Sequence, residues 1–147
     1  MKYKNIFFIS PPFYSHFNPL LMLARSLKKQ GARVSFATSI DFKDKVEEEG
    51  LDYYELDISK NKNTTKEASQ PIEEIKRLEE FFEATRKGPI ETLITQSLHR
   101  KADMLYSPDE LISNIKDIVS KIEVDVFVVD ILSYSVTLSL YYLAYPL

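Results

Sequence analysis

The stretch KNIFFISPPFYSHFNPLLMLARSLKKQGARVSFAT, residues 4–38, contains the pattern that decides the fold. Residues 4–10 form a near-continuous apolar run of strand length, which is typical of a strand buried on both faces of a parallel sheet. A helix follows, for which Asn18 is the predicted cap, Pro19 the first residue and Gly31 the end. Residues 33–38 read as a second strand, and the helix between the strands has one apolar face, made by Leu20, Leu23, Ala24 and Leu27.

The same alternation continues along the chain. Asp41 is the predicted cap of a charged helix that stops at Gly50, and residues 52–57 read as a third strand. This β-α-β-α-β order with short connections implies right-handed crossovers and a parallel sheet. Residues 59–70 contain a single apolar residue, an alanine, and are predicted to be a mobile loop. Helical spacing then resumes, with one side formed by Ile72, Ile75, Leu78 and Phe82.

Gly88 and Pro89 end that helix, and a second helical stretch runs to about His99. Ser107 and Glu110 form a capping box before a further helix, whose apolar residues are Leu111, Ile115, Ile118 and Ile122. Residues 124–130 read as a fourth buried strand and residues 133–144 as a helix. The apolar tail reads almost as a membrane span, but Asp130 interrupts it, so a buried strand and helix are the preferred interpretation.

Composition narrows the class of protein. The chain has 147 residues, 44 % of them hydrophobic and 28 % charged, which is the balance of a globular domain. A net charge of −3 with interspersed signs gives no electrostatic footprint for nucleic acid. There is no cysteine, which excludes disulfides and thiolate chemistry and suits a cytoplasmic protein. The sequence contains neither a GxGxxG fingerprint after the first strand nor a Walker A motif, and its two histidines make no obvious metal site.

One histidine and one aspartate are predicted to meet. Ligands of open parallel sheets bind beyond the carboxyl ends of the strands, where the strand order reverses. The fourth strand is expected to pair on the free side of the first, which brings Asp130 beside the turn that carries His16. A neutral imidazole is a competent base near pH 7, and a carboxylate fixes its tautomer and stabilises the imidazolium. A structural or solvated histidine, and an aspartate that only caps the next helix, are the alternatives.

These residues also carry a resemblance. The segment SHFNPLLMLARSLKKQGARVSFAT resembles the opening of GT-B nucleotide-sugar-dependent glycosyltransferases of the macrolide and natural-product type. That family has a turn ending Gly-His-x-x-Pro, matched at His16 and Pro19 but with Ser15 in place of the glycine. Ala32 stands where a histidine is common. EVDVFVVD, residues 123–130, resembles the family's PDxxVxD motif, with Val124 in place of the proline.

The resemblance implies that residues 1–147 are a partial N-terminal, acceptor-binding domain, with a Rossmann-like, doubly wound parallel sheet and a helical insertion at residues 71–106. It implies that His16 is the catalytic base, that Asp130 orients it, and that no metal or cofactor is needed. The nucleotide sugar is then a co-substrate, held mainly by a C-terminal domain with no counterpart in residues 1–147. The acceptor is expected to be a small apolar molecule in a pocket lined by Phe13, Tyr14, Ser15, Phe17 and Phe81.

Several alternatives remain open from the sequence. One or more of the aromatic residues near His16 is equally well explained by packing that holds the start of the helix against the sheet. Phe82 is expected to belong to the core. His99, beside Arg100 and Lys101, is interpreted as a surface residue. The chain is expected to be inactive alone and to self-associate through an apolar edge or helix face. The alternative prediction is that the chain is a non-catalytic binding or partner subunit of a split glycosyltransferase. In one form of this alternative the subunit associates with a membrane.

Overall fold

The chain alternates strands and helices in the order that its hydrophobic pattern predicts. The structure is a computed structural model that describes residues 4–56, 58, 70–104, 108–131 and 133–146. Within them the strands are β1 (Asn5–Ile9), β2 (Arg33–Thr38), β3 (Asp52–Glu55) and β4 (Val126–Val129). The helices are α1 (Tyr14–Lys29), α2 (Lys43–Glu48), α3 (Gln70–Lys87), α4 (Pro89–Met104), α5 (Pro108–Val119) and α6 (Tyr134–Tyr142).

The four strands form one parallel sheet in the order β3-β2-β1-β4. Ile9 of β1 is in register with Ala37 on one side and with Val129 on the other. The predicted parallel sheet is therefore confirmed, and so is the placement of β4 on the free side of β1. The strand order reverses between β1 and β4, which is where open sheets of this kind bind ligands.

Each face of the sheet has its own hydrophobic core. Alternate residues of β1 point to opposite faces, so Ile6 and Phe8 pack under α1 and α2, while Phe7 and Ile9 pack under α5 and α6. The rings of Phe8 and Phe36 stack at 5.7 Å on the first face. This double burial explains why the strand reads as a continuous apolar run.

The first helix begins earlier than its sequence predicts. Phe13, not Asn18, is the residue before α1, and its carbonyl accepts the backbone N–H groups of His16 at 2.9 Å and Phe17 at 2.8 Å. Pro19 then lies in the second turn, where it lacks the N–H that would bond to the carbonyl of Ser15. Ser15 is exposed, so water can satisfy that carbonyl, and burial of Phe17 favours the earlier start.

The buried stripe of α1 includes Phe17 and excludes Leu23. Phe17 and Ala24 are fully buried, and Leu20, Leu21 and Leu27 pack partly buried beside them. Leu23, predicted on that face, is 45 % exposed. A second correction concerns Asp41, which lies inside a short 3₁₀ turn (Ile40–Phe42) before α2 and is not a helix cap.

Helices α1, α2 and α6 are each followed by a residue in the left-handed backbone conformation. Gly31 and Gly50 adopt left-handed φ angles of 93° and 67°, as residues after a helix commonly do. Ala144 adopts φ 59° after α6, with Tyr145 N–H donating to the Leu140 carbonyl at 3.1 Å. The chain then turns back to the outer edge of β4, where Phe127 N–H donates to the Pro146 carbonyl at 3.1 Å.

The apolar tail thus forms a strand and a short helix. No helix in the part of the chain that the structure describes is both long and apolar enough to span a membrane.

The chain divides into two compact units, Met1–Ile58 with Ser107–Leu147, and Ser59–Tyr106. The second contains α3 and α4, which pack against each other and are joined by His99 Nε2 and Glu80 Oε2 at 2.7 Å. His99 is therefore a half-buried interhelical residue and not a plain surface one. Phe82, expected in a core, is 52 % exposed, whereas Ala84 of the same helix is buried. Residues 59–69 and Ser107, to which the loop and capping-box predictions refer, lie outside the described residues.

At the amino end of the sheet, a carboxylate holds β1 against β4. Asp125 Oδ2 accepts the backbone N–H groups of Lys4 at 2.7 Å and Asn5 at 2.9 Å. These two hydrogen bonds, from Asn5 first and Lys4 second, hold the pKa of Asp125 below its ordinary value. A lowered pKa means that the carboxylate stabilises the fold above the unfolded pKa and that this contribution is lost as the pH falls through the folded pKa.

We predict that Asp125→Asn destabilises the domain at neutral pH but not in acid. The amide keeps the shape of the side chain but is a weaker acceptor than the carboxylate. Urea unfolding of both proteins should show the largest difference in midpoint above about pH 5 and a shrinking one towards about pH 2. A difference that is the same at both ends of this range would contradict the assigned role of the charge.

Candidate active site

Polar side chains collect where three neighbouring strands end. Ser10 follows β1, Thr38 ends β2 and Asp130 follows β4, and all three are buried. Because Ile9 pairs with both Ala37 and Val129, the next residue of each strand lies in one row across the sheet. Alternation places this row on the α1 side. The row runs beneath the first turn of the helix that carries His16.

His16 and Asp130 meet at this edge, although 114 positions separate them in sequence. His16 Nδ1 lies 2.9 Å from Asp130 Oδ2, and the two side chains are 28 % and 10 % exposed. His16 belongs to the first turn of α1 and not to a loop before it, which is a correction of the predicted setting. The structure thus brings together the pair that the sequence places at the strand-order reversal.

The backbone holds Asp130 in position. Its N–H donates to the carbonyl of Ile9 at 3.2 Å, which extends the pairing of β4 with β1 by one residue. Its own carbonyl accepts the N–H of Ser133 at 2.9 Å as the chain turns into α6. The backbone of Asp130 is therefore held on both sides at the point where its strand ends.

The contact determines which imidazole nitrogen is available. An ionised carboxylate only accepts hydrogen bonds, so Nδ1 carries the proton that it donates to Asp130. Nε2 then keeps its lone pair, and no hydrogen-bond partner of Nε2 is found in the described part of the chain. The His16 side chain is partly exposed, and a neutral imidazole backed by a carboxylate can take up a proton from a bound molecule.

Two aromatic residues beside the histidine are exposed, as a pocket wall requires. Phe13 is 57 % exposed, and its ring lies edge-on to the His16 ring with centroids 6.3 Å apart. Tyr14 is 60 % exposed and contacts Phe42 at 5.0 Å. Ser15 is also exposed, on the first turn of α1. Their contact with an acceptor stays a prediction.

The other two predicted acceptor residues are placed differently. Phe17 is fully buried, with its ring 4.4 Å from that of Phe42 and 5.4 Å from that of Phe36. It is the aromatic residue that staples the helix onto the sheet. Phe81 belongs to the unit of α3 and α4, where its ring lies 6.0 Å from that of Phe82. Its part in a pocket stays a prediction.

Sequence reasoning missed three buried hydroxyls near this edge. The side-chain oxygens of Thr38, Ser39 and Ser133 are buried and find no hydrogen-bond partner in the described part of the chain. The signal was available in the sequence, since a polar residue directly after an apolar strand marks the ligand-binding edge of a parallel sheet.

A cavity of about 300 Å³ lies at the opposite, amino-terminal edge of the sheet, where its lining includes Arg33, Asp52 and Lys121. It contains no histidine and is at the end of the strands away from His16. The pair of His16 and Asp130, and not this cavity, therefore defines the candidate site.

Comparison with known families gives one match. The family model described as the glycosyltransferase family 28 N-terminal domain matches residues 16–106. The chain belongs to this family. The match begins at His16 and ends before β4, so the placement of Asp130 beside the histidine comes from the sheet and not from the family model. A comparison with curated protein sequences finds no significant match.

Solved structures of glycosyltransferases share the fold of this family 28 domain. The calicheamicin glycosyltransferase CalG4 aligns with a TM-score of 0.60 at 16 % identity, over 99 % of this chain and 32 % of its own. The glycosyltransferase of kitacinnamycin gives 0.58 at 19 % identity, over 97 % and 28 %. SsfS6 from Streptomyces sp. SF2575 gives 0.57 at 17 % identity, over 97 % and 38 %.

The chain thus belongs to the glycosyltransferase family 28 N-terminal domains and shares its fold with solved glycosyltransferases, which confirms the resemblance of its sequence at the level of family and fold. It spans about a third of the length of the solved structures that it matches.

We predict that truncation of Phe17 destabilises the domain strongly and that truncation of Phe13 has almost no effect on its stability. Phe17→Ala should destabilise the family 28 domain by about 3–5 kcal/mol, because it leaves a cavity between α1 and the sheet. Phe13→Ala, at the exposed residue just before the helix, should change stability by less than about 0.5 kcal/mol. Urea unfolding of the two variants measures both values, and equal losses would show that Phe13 is a core residue as well.

Proposed function

We propose that this domain binds the acceptor of an inverting glycosyltransferase and that His16 is the base of the reaction. The observation that carries the proposal is the 2.9 Å contact between His16 Nδ1 and Asp130 Oδ2, with Nε2 free at the ligand-binding edge. Membership of the glycosyltransferase family supplies the reaction class.

In the proposed step, Nε2 takes the proton of an acceptor hydroxyl as its oxygen attacks the anomeric carbon of a nucleotide sugar. The new carbon–oxygen bond forms as the bond to the nucleoside diphosphate breaks, and that group leaves with the electron pair. A single displacement of this kind inverts the anomeric configuration. The imidazolium that forms is paired with the Asp130 carboxylate, which lowers the energy of the charged state.

The setting of the base supports a small, largely apolar acceptor. Phe13 exposes aromatic surface directly beside the His16 ring, and ligand pockets are lined mostly by such side chains with a few polar groups. We add Tyr14, which is exposed two residues before His16 in the sequence. We assign the exposed Ser15 to the same wall. Phe17 is left out of the pocket because it is fully buried.

We place the nucleotide sugar mainly in a second domain. Nearly all of this chain aligns with only 28–38 % of the related structures, so most of their length has no counterpart in these residues. On this proposal the 147-residue chain alone transfers no sugar, whether the second domain belongs to the same polypeptide or to a partner subunit. Sugar transfer by the purified chain would contradict that assignment.

We predict that His16→Ala lowers turnover by about 10²–10⁴-fold, because a positioned base contributes a factor of that size. The assay uses a form of the protein that also contains the donor-binding half, with transfer to a panel of apolar hydroxyl compounds as the readout. Binding of the nucleotide sugar, measured by calorimetry, should stay unchanged, since the histidine acts on the acceptor.

The control variant is His99→Gln, which removes the other histidine and should retain full turnover. Asp130→Ala should also reduce turnover, and the double variant should be no worse than His16→Ala, because residues that act as a unit are not additive. Turnover unaffected by His16→Ala, or additive losses in the double variant, would overturn the assigned pair.

A further inference from the structure

Helix α1 contains two signals for its own start, and they lie one turn apart. The structure begins the helix at Tyr14, whereas Asn18 and Pro19 are the cap and first residue that the sequence favours. We call the residues between the two starts, 14–17, the first turn of α1. This turn carries His16, so the choice between the two starts decides where the imidazole lies.

The first turn of α1 is held only weakly from within the helix. Phe13 precedes the turn without a side-chain hydrogen bond to its N–H groups, and the turn contains no acidic residue. Pro19 has no N–H, so the carbonyl of Ser15 loses its donor within the helix. The start of the turn is closed by backbone hydrogen bonds to the Phe13 carbonyl, including that from Phe17 N–H at 2.8 Å.

Asn18 has a backbone conformation that the next residue disfavours. A proline pushes the residue before it out of the helical region and towards the extended one. Asn18 nevertheless lies inside α1, although its side chain is exposed and gains nothing from burial there. As a cap, Asn18 would be extended, and Pro19 would take the first helical position, where no N–H is needed. The later start therefore satisfies the local preferences that the observed start violates.

Side chains hold the first turn from outside the helix. His16 Nδ1 lies 2.9 Å from Asp130 Oδ2, and the Tyr14 ring lies edge-on to the Phe42 ring with centroids 5.0 Å apart. Neither side chain of the turn is buried in these contacts, since the His16 side chain is 28 % exposed and Tyr14 is 60 % exposed. Both contacts can therefore break without opening the core.

Phe17 sets the limit of the movement. Its ring is fully buried between the rings of Phe36 and Phe42. With Asn18 as the cap, Phe17 is the residue just before the helix, where an apolar side chain often fixes the angle at which the chain enters. The Phe17 ring can thus keep its place in the core while residues 14–16 unwind.

We propose that residues 14–16 are a two-state switch that pivots on Phe17. In the wound state, which the structure shows, His16 contacts Asp130. In the unwound state α1 starts at Asn18 and His16 is released. The Asp130 carboxylate therefore holds the turn wound as well as orienting the imidazole. The inference rests on backbone bonding and packing and holds whether or not His16 is a base; on the proposed function, the wound state is the competent one.

The test is native-state hydrogen exchange of the 147-residue chain, followed by NMR at the backbone amides of Phe17 and Ala24. The Phe17 amide bonds across the switch, whereas Ala24 lies buried in the middle of the same helix and reports on the domain as a whole. Corrected for intrinsic rates, the Phe17 amide should exchange at least about tenfold faster than that of Ala24, because the switch opens without global unfolding. Asp130→Ala should increase this ratio further, because it removes the partner of His16.

Two substitutions of the exposed Asn18 separate the switch from ordinary fraying of a helix end. Asn18→Ala removes the later cap and should slow exchange of the Phe17 amide about fivefold. The matched control is Asn18→Ser, which keeps a capping side chain and should stay within about twofold of the wild type. Pro19→Ala, which restores a donor for the Ser15 carbonyl, should slow the exchange at least about tenfold.

Two results would overturn the proposal. One is a Phe17 amide that exchanges as slowly as that of Ala24 in the wild type, because the turn would then open only with the whole domain. The other is equal exchange of the Phe17 amide in Asn18→Ala and Asn18→Ser, because the cap would then play no part. Neither result depends on sugar transfer, so the switch and the proposed function can fail separately.

Discussion

The parallel pairing of β4 with the free edge of β1 is the constraint on which the rest of this domain depends. It joins segments more than a hundred residues apart, and it reverses the strand order between β1 and β4. At the amino end of the pair, the Asp125 carboxylate bonds to the backbone of Lys4 and Asn5. At the carboxyl end, the same register delivers Asp130 to His16. A shift of this register by one residue would turn the carboxylate to the other face of the sheet.

The elements that could be predicted from the sequence are those in which hydrophobic residues recur with a clear strand or helix period. Strand β2 is found at the predicted residues 33–38, and the order of the sheet follows from the β-α-β rules. The meeting of His16 and Asp130 could be anticipated because both follow strands that those rules make neighbours. Their 2.9 Å contact, and which nitrogen it engages, needed the three-dimensional structure.

Features of the structure that differ from the sequence-based prediction are those in which tertiary packing outweighs a local sequence signal. Asn18 and Pro19 form a strong local signal for a helix start, but burial of Phe17 against Phe36 and Phe42 extends α1 by a turn towards its amino end. The same change places His16 inside the helix. Phe82 lies on a regular apolar stripe, yet it is half exposed, because periodicity shows that a helix is amphipathic but not what covers its apolar side.

The central claim is that Asp130 fixes His16 with Nδ1 protonated and Nε2 free to accept a proton. Long-range ¹H–¹⁵N correlation NMR of the 147-residue chain at about pH 9, well above the usual imidazole pKa, measures this directly. The His99→Gln variant leaves His16 as the only histidine signal. The account predicts a protonated Nδ1 and an unprotonated Nε2, with that preference lost in Asp130→Ala. A proton on Nε2, or a tautomer that does not respond to Asp130→Ala, would contradict it.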